Sequence, residues 1–432
     1  MAGTFSETVR QLMREGDVGL RELARRVHYT PGHLSNVLNG RKTVAAAFAI
    51  ALDRELGAGG AVIAAAAIAS GSPVDELRSG QWGHAEASAL PGMLTAAADT
   101  QTAMRLSHHW LVTDSPQITE IRAGRRVGTT LANEVEQRVI ALRRLDDHVG
   151  GDDLAVVVRT ELADTLTLLS DGSFTTEIGR RLLTCAGELA QLAGWTLSDA
   201  GAHHSAAQAY VTGVHAAHAA GDTALAANLL SSLSYQLANT GEQADAVLLA
   251  RTACQGARQQ ATPRTVALLA DRVAWACARA GLPDGVDRAL GQADEAWSRV
   301  DGAEDPDWVY WVTRDELDVM AGRCYAEQRR PLKAEPLLAS VLLRYDPTHA
   351  RERALYLTWL ADTYLWAGEA DQAAVTATEA LDLTEQVHSW RTRNRIAAVA
   401  RHLARHSSST IRSFVDRVNA GDHIPSAQPT QD

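Results

Sequence analysis

Residues 20–42 read LRELARRVHYTPGHLSNVLNGRK, and this stretch decides how the N-terminal end of the chain folds. Thr30 followed by Pro31 is typical of a helix start, because the hydroxyl caps the first turn and proline suits the next position. Asn39 followed by Gly40 predicts the end of that helix, since glycine adopts the left-handed conformation without steric cost. Apolar residues recur at helical spacing on both sides of the turn: Leu23, Val27, Leu34, Val37 and Leu38. Two short helices joined by a tight turn are therefore predicted.

Further helices are predicted on both sides of this pair, near residues 4–15 and 44–56. Each has its apolar residues on one face: Phe5, Val9, Leu12 and Met13 in the first, and Val44, Phe48, Leu52 and Leu56 in the second. Ala24 stands where two helices must cross closely and a larger side chain would clash. The pattern predicts a small helical domain; a helical hairpin without a role in DNA binding is the alternative interpretation.

Residues 1–57 resemble the XRE family of bacterial transcriptional repressors, also called lambda-repressor-like domains. The residues that carry the resemblance are Leu23-Ala24, Thr30-Pro31, Leu34-Ser35 and Asn39-Gly40. The chain departs from the family pattern at Leu20, where a glutamine often contacts the DNA backbone, and at His28, where a glycine usually makes the turn. The resemblance implies a helix-turn-helix DNA-binding domain.

The resemblance also implies which side chains meet DNA. Those that face the major groove would be Thr30, Gly32, His33, Ser35 and Asn36. His33 and Asn36 are the best candidates for base contacts, because imidazole and amide groups can donate and accept hydrogen bonds. The phosphate contacts would come from Arg25, Arg26, Arg41 and Lys42.

The charge of the chain is unevenly distributed. The net charge of the 432 residues is −11, which by itself argues against a nucleic-acid partner. Residues 1–45 contain seven Lys or Arg against four acidic residues, a local balance of +3. We therefore expect only the N-terminal end to approach DNA, while the acidic remainder is repelled from it.

The sequence predicts neither a metal site nor a cofactor. The four cysteines, Cys185, Cys254, Cys277 and Cys324, are far apart and form no CxxC pair, so we expect them to be reduced in a cytoplasmic protein. His215 and His218 share a helix face but favour a polar surface over metal ligation. The N-terminus is polar and does not resemble a signal peptide, and the alanine-rich run 60–69 is too short to span a bilayer.

Beyond residue 180 the sequence becomes periodic, with intervals of about 40 residues and one of 48. Small residues recur at Gly194, Ser234, Ala274, Gly322 and Ala361. A turn position follows each of them at Gly201, Gly241, Gly281, Arg329 and Gly368, and then a second helix position at Ala206, Ala246, Val286, Ala334 and Ala373. Small residues at fixed places allow the two helices of a hairpin to touch, and neighbouring hairpins bury each other's faces.

This periodicity resembles the tetratricopeptide (TPR) repeat over residues 180–390, with longer connections than the usual period of ~34 residues. We expect an all-α protein with a TPR-like superhelix over 92–420 for sensing and dimerisation, a linker over 58–91 and a disordered tail over 421–432. A helix is predicted over 93–109, degenerate repeats over 93–170, and capping helices over 392–405 and 410–419.

The first helix of each pair is expected to line a concave surface. The predicted inward residues are Gln191, Trp195, Asp199, Asn228, Ser231, Tyr235, Asn239, Asp271, Trp275, Arg279, Arg323, Glu327, Thr358, Asp362 and Trp366. Amides can pair with the backbone of an extended peptide, and the rings offer rigid apolar contact. The set therefore suggests a ligand groove, and an ordinary solvated face is the alternative.

No catalytic motif was found, so an enzyme is not expected. The combination of an XRE-like head and a TPR-like body resembles the peptide-pheromone receptors of Gram-positive bacteria. The alanine-, arginine- and glycine-rich composition fits an actinobacterium. The resemblance implies a homodimeric, quorum-sensing transcriptional regulator that binds a palindromic operator in double-stranded DNA and responds to a peptide or small molecule. The alternative is a TPR scaffold for a protein partner, with the head as a docking or localising module.

Overall fold

The computed structural model describes residues 5–16, 18–27, 29–39, 44, 46–58, 62, 66, 77, 80–122, 124–146, 151–301, 305–346, 349–384 and 390–420. Its first four helices are α1 (Phe5–Glu15), α2 (Leu20–Arg26), α3 (Pro31–Leu38) and α4 (Ala46–Glu55). Several parts of the chain that the sequence analysis named lie outside the described residues: His28, Gly40, Arg41, Lys42 and the tail 421–432.

These four helices, here called the head, have their own hydrophobic core. Leu23, Leu34 and Phe48 are fully buried within it, as the helical spacing of the apolar residues predicts. Val62 and Ala66 belong to the same cluster, so the head extends beyond the predicted boundary at residue 57. Burial of these side chains supplies most of the stability of such a small domain, at about 25 cal/mol per Å² of apolar surface.

The body begins earlier than the sequence indicated. A short strand β1 (Gln81–Trp82) pairs in parallel with β2 (Gln117–Ile118), and α5 (His84–Met93) buries Ala87 and Leu90 in the core of the body. The interpretation of residues 80–91 as part of a linker is therefore wrong, because their apolar side chains are needed in this core.

The helix predicted over 93–109 is present, but it begins at Thr100 and not at residue 93. The chain leaves α5 after Met93 and enters α6 (Thr100–Val112) only after a turn. Asp99 starts the new helix, because its carboxylate accepts a hydrogen bond from the Thr102 backbone N–H at 2.8 Å.

Two long helices and a second small parallel sheet follow. These are β3 (Arg125–Arg126), α7 (Thr129–Asp146), α8 (Gly151–Asp171) and β4 (Gly172–Ser173), with β3 paired to β4. They pack on the first of the six helix pairs that the described residues form. The pairs are α9 (Thr176–Asp199) with α10 (His203–Ala220), α11 (Thr223–Thr240) with α12 (Gln243–Ala257), α13 (Pro263–Arg279) with α14 (Pro283–Trp297), α15 (Arg314–Glu327) with α16 (Pro331–Arg344), α17 (Ala350–Trp366) with α18 (Ala370–Thr384), and α19 (Trp390–Leu403) with α20 (Ser409–Ala420).

The turns between paired helices lie at the periodic positions of the sequence. Gly201, Gly241, Gly281 and Gly368 all have a positive φ, between 68° and 114°. Arg329 has the same left-handed conformation, with a φ of 55°, although it carries a side chain. The small-residue positions allow the two helices of a pair to approach closely. In the first pair a Cβ on Gly194 would overlap the Tyr210 ring. In the second pair the Ser234 hydroxyl donates to the Ala246 carbonyl at 2.9 Å.

The long interval between repeats contains an insertion before α15. A single turn of 3-10 helix, Asp307–Val309, buries Trp308 and Val309 against the body. The predicted all-α class, with a helix-turn-helix end followed by TPR-like helix pairs, is confirmed. Within the described ranges, no helix has the length and apolar character to cross a membrane.

Candidate functional site

The start of α3 forms an exposed surface on the head. The Thr30 side chain accepts a hydrogen bond from the His33 backbone N–H at 3.2 Å and so caps the helix. Thr30 and Gly32 are exposed, and Ser35 and Asn36 are partly exposed on the same helix. A Cβ on Gly32 would meet nothing within 4 Å, so this point of the surface is open to a close-approaching partner.

His33 is held by aromatic neighbours. Its ring centroid lies 5.0 Å from that of Tyr29 and 5.0 Å from that of Phe48, and the ring meets Phe48 edge to face. Phe48 is itself fully buried in the head core. His33 therefore fixes the orientation of α3 on the core, and Asn36 is the freer of the two predicted base-contacting side chains.

The predicted phosphate contacts on α2 are partly neutralised. Arg25 and Arg26 both pair with Glu22, at 2.7 and 3.0 Å. The hydrogen bonds from these two arginines lower the pKa of the Glu22 carboxyl. The three side chains together carry one net positive charge, so α2 attracts phosphate less strongly than its arginine count suggests.

Arg10 is a site residue that the sequence reasoning missed. Its guanidinium donates to the Asn39 side chain at 2.8 Å and to the Leu38 carbonyl at 3.2 Å. The Asn39 amide in turn donates to the Ser35 hydroxyl at 3.3 Å. Arg10 thus ties α1 to the C-terminal end of α3, and no short-range pattern links residues so far apart in sequence.

Two cavities of several hundred Å³ are lined by described residues of the helix pairs. Cavity A has a volume of about 440 Å³ and is lined by the first helices of the pairs, including α19. Cavity B has a volume of about 510 Å³ and is lined in addition by the insertion residues Trp308, Tyr310 and Trp311. Residues common to both are Trp195, Tyr235, Arg323, Leu355 and Arg391.

A row of aromatic rings lines cavity A, and two of its members, Trp195 and Tyr235, also line cavity B. Ring centroids lie 5.7 Å apart for Trp195 and Tyr235, 6.0 Å for Tyr235 and Trp275, and 5.4 Å for Trp275 and Trp359. Arg323 lies among these rings, with its guanidinium 4.7 Å from the centre of Trp275 and 5.4 Å from that of Trp359. It also donates to the Tyr235 hydroxyl at 2.6 Å.

Three more arginines contact the same row. The Arg272 guanidinium lies 4.7 Å from the centre of the Tyr235 ring, Arg391 lies 5.2 Å from Trp195, and Arg395 lies 3.6 Å from Trp359. Cation–π attraction of this kind contributes about 0.5–1 kcal/mol at exposed sites and about 2 kcal/mol when water is excluded. The interior of the array is therefore both aromatic and cationic, in a chain whose net charge is negative.

Burial and the nearby arginines shift the pKa values of two buried side chains, Tyr235 and Asp271. Burial raises the pKa of Tyr235, but Arg323, Arg391 and Arg272 outweigh it and lower the value to about 8. Burial raises the pKa of Asp271 to about 7, although Arg272 and Arg323 act in the opposite direction. The phenol of Tyr235 is thus easier to ionise than an ordinary tyrosine.

Most of the predicted inward residues line a cavity. In cavity A these are Trp195, Asp199, Tyr235, Asn239, Trp275, Arg279, Arg323, Glu327, Asp362 and Trp366, and in cavity B Gln191 and Asn228. Ser231, Asp271 and Thr358 do not contribute to either wall. All three are almost fully buried behind the lining. On α17 the neighbouring residue Trp359 takes the place that the prediction assigned to Thr358.

The sequence reasoning also missed several lining residues. Arg391 and Arg395 lie on α19, which was predicted only to cap the array, and Arg272 lies one position from the predicted Asp271. The aromatic residues of the insertion interrupt the repeat and so escape a periodic pattern. For α19 one signal was available, since its arginines stand in a helix that contains no acidic residue.

In the part of the chain that the structure describes, no group of three or more His, Cys, Asp or Glu side chains is arranged to hold a metal ion. The buried histidines His215 and His218 belong to α10.

Comparison with known proteins identifies the head. Residues 4–66 match the family model described as a helix-turn-helix domain. Among solved structures, the chain is similar to the TPR domain of P58(IPK), at 13% sequence identity over 93% of this chain and 98% of that one, with a TM-score of 0.22. No curated protein matches the chain.

Proposed function

We propose that the protein is a sequence-specific transcriptional regulator of the XRE type that binds double-stranded DNA through α3. The match of residues 4–66 to a helix-turn-helix domain is the observation that carries this proposal. It is supported by the exposed start of α3, where Gly32 leaves open space and Asn36 is available for a base edge. An Asn side chain can pair with adenine through two hydrogen bonds.

The body is proposed to bind a signalling ligand, a peptide or small molecule, inside the helix array. The ring-lined and arginine-lined cavities support this part of the proposal, because ligand sites combine apolar walls with a few placed polar groups. The regulator acts as a cytoplasmic homodimer on a palindromic operator, in the manner of quorum-sensing receptors of Gram-positive bacteria, here an actinobacterium. The ligand changes operator affinity only to the extent that it binds one arrangement of the dimer more tightly.

Selection of DNA from a random library with the full chain tests the proposal. We expect a palindromic motif with half-sites about one helical turn apart. Asn36→Ala should weaken binding by about 1–3 kcal/mol and relax one base position, whereas Asn419→Ala, an exposed change on α20, should have no effect. A motif bound equally well by both variants would overturn the assignment of α3 as the reading helix.

A second candidate function is a TPR scaffold whose head docks a protein. The pairing of Glu22 with both Arg25 and Arg26 favours it, because it reduces the positive charge that DNA binding uses. Under this function, library selection would enrich no motif, and binding to DNA would be weak and fall steeply with salt.

A further inference from the structure

The acidic residues of cavity A are all neutralised by the protein itself. Asp199 pairs with Arg391 at 3.2 Å, and Glu327 pairs with Arg279. Asp362 accepts from Arg395 at 2.5 Å and contacts the His402 ring nitrogen at 3.0 Å. The remaining lining arginines of this cavity are Arg323, Arg329 and Arg401, and none of them forms an ion pair within the described ranges. Cavity A therefore has a surplus of positive charge.

Arg323 is the most exceptional of the three, because it is 95% buried. Two of its nitrogens donate to neutral groups, the Tyr235 hydroxyl at 2.6 Å and the Met320 sulfur at 2.9 Å. Its Nε has no hydrogen-bond partner among the described residues. The carboxyls of Asp271 and Glu316 act on Arg323 only through space and form no ion pair with it in the described residues. A buried charge without a direct ion pair is unfavourable unless something compensates it. An anion that enters cavity A would supply that compensation.

Arg329 provides an independent observation. It occupies the left-handed turn position that is glycine in the first, second, third and fifth helix pairs, and its φ is 55°. A non-glycine residue in this conformation is strained, and such strain is concentrated at functional sites. Its guanidinium lies 4.3 Å from the centre of the Trp366 ring, which also lines cavity A. The arginine thus brings a cation to the cavity at a position where glycine would fold more easily.

The rest of the wall is suited to a flat ring. Trp195, Tyr235, Trp275, Trp359 and Trp366 all line cavity A, and its volume of about 440 Å³ matches that of sites for small organic ligands. Cavity B differs in charge, because its lining contains almost equal numbers of arginines and acidic residues. Of the two cavities, only cavity A combines a surplus of positive charge with an aromatic wall.

We propose that cavity A binds an aromatic carboxylate, with the carboxylate paired to Arg323 and the ring against the tryptophan wall. This inference rests on the proposed function, in which the body binds a signalling ligand, and names the chemistry of that ligand. The same chemistry has two sources, a free aromatic acid or the C-terminal aromatic residue of a short peptide.

Calorimetric titration of the full chain with two matched probe pairs tests the proposal. The first pair is indole-3-acetate and the neutral indole-3-acetamide, and the second is the peptide acetyl-Ala-Ala-Trp with a free or an amidated C-terminus. We expect at least one acid to bind about tenfold or more tightly than its amide, because a charge-assisted hydrogen bond is lost in the amide. The pair that shows the preference identifies the source. No preference in either pair at concentrations up to about 10 mM would overturn the proposal.

Three variants test the assigned residues. Arg323→Met keeps the side-chain volume and should remove the preference for the acid, provided that circular dichroism shows a folded chain. Arg329→Gly should fold at least as well as the natural chain, since it relieves the left-handed strain, and yet bind the acid several-fold more weakly. Arg299→Gln, which changes an exposed arginine that lies just after α14 and pairs with Glu295, should leave binding unchanged. Equal affinity of the acid for Arg329→Gly, Arg323→Met and the natural chain would contradict the site.

The experiments distinguish a wrong assignment of the ligand from a wrong assignment of the DNA-binding function. If library selection yields an operator but neither acid is preferred over its amide, the regulator stands and the ligand chemistry is wrong. If an acid is preferred and no DNA motif is enriched with or without it, the site stands and the DNA-binding function is wrong.

Discussion

The guanidinium of Arg391 on α19 lies 3.2 Å from the carboxylate of Asp199 on α9, and this ion pair joins the last helix pair of the array to the first. A second ion pair joins Arg351 on α17 to the Asp146 carboxylate on α7 at 3.6 Å, and Arg351 also donates to the Asp146 backbone carbonyl at 2.9 Å. Apolar packing dominates between neighbouring pairs, with added ion pairs such as that of Arg279 with Glu327, and these distant elements meet through charged side chains. The ion pairs therefore hold the array closed around cavities A and B.

Replacing Arg391 tests this closure. We expect Arg391→Gln to lower the free energy of unfolding by about 1–3 kcal/mol, because Asp199 is 95% buried and loses a counter-ion, while partial exposure of Arg391 moderates the effect. Urea denaturation followed by circular dichroism measures the change.

Arg299→Gln is the matched control for Arg391→Gln. Its partner Glu295 is 70% exposed, so its loss should change the free energy of unfolding by less than about 0.5 kcal/mol. Equal midpoints for the two variants would mean that the ion pair between α9 and α19 contributes nothing to closure.

Replacing two different helix glycines by alanine should have opposite effects on stability, because only one of them lies at a small-residue position of the repeat. Gly194→Ala should destabilise the chain by about 1–3 kcal/mol, because the new Cβ would overlap the buried Tyr210 ring. Gly291→Ala on α14 should stabilise it by about 0.5–1 kcal/mol, since nothing lies within 4 Å and alanine favours the helix. Thermal melting of both variants measures the difference, and a stable Gly194→Ala would show that α9 and α10 are not in close contact there.

Tyr235 should titrate at an unusually low pH. The charged groups facing it are Arg272 from α13, Arg323 from α15 and Arg391 from α19, and they lower its pKa to about 8 against the opposing effect of burial. Ultraviolet absorbance of the phenolate should show one tyrosine ionising near pH 8, and Tyr235→Phe should remove that step. Tyr210→Phe is the control, because burial raises the pKa of Tyr210 out of this range.

The same shift makes stability depend on pH. Between pH 8 and 10 the folded chain has released the Tyr235 proton while the unfolded chain, with a pKa near 10, still holds it. The free energy of unfolding should therefore rise with pH in this window, by up to about 1.4 kcal/mol per pH unit, and the gain is lost as pH falls through 8. A Tyr235→Phe variant with the same slope would contradict this assignment.

Gly32 should be needed for DNA binding but not for folding. Gly32→Leu places a side chain in open space at the exposed start of α3, where it would block close approach of a DNA backbone. We expect an affinity loss of about tenfold or more for the selected operator, measured by fluorescence anisotropy, with an unchanged melting temperature. Gly92→Leu on α5, also open and exposed, is the control and should bind DNA like the natural chain.

Local rules accounted for much of the fold. The cap at Thr30, the turns at Gly201 and Gly241 and the small residue at Gly194 each depend on a few neighbouring residues, so their pattern predicted their geometry. Asp99 is the counterexample on α6: its capping role is local, but a continuous apolar pattern concealed the break before it.

The sequence by itself therefore determined the helix pairs of the repeat region, with their first helices as the lining of the array, because helical periodicity and turn chemistry act over short separations. Only the tertiary structure decided that Trp359 lines cavity A, since the rotation of α17 is set by packing on both sides. The same holds for Arg391, which lines both cavities and meets Asp199 only because the array curves until its last pair approaches its first. Such curvature is the sum of small rotations at every helix interface, and no local stretch of sequence contains it.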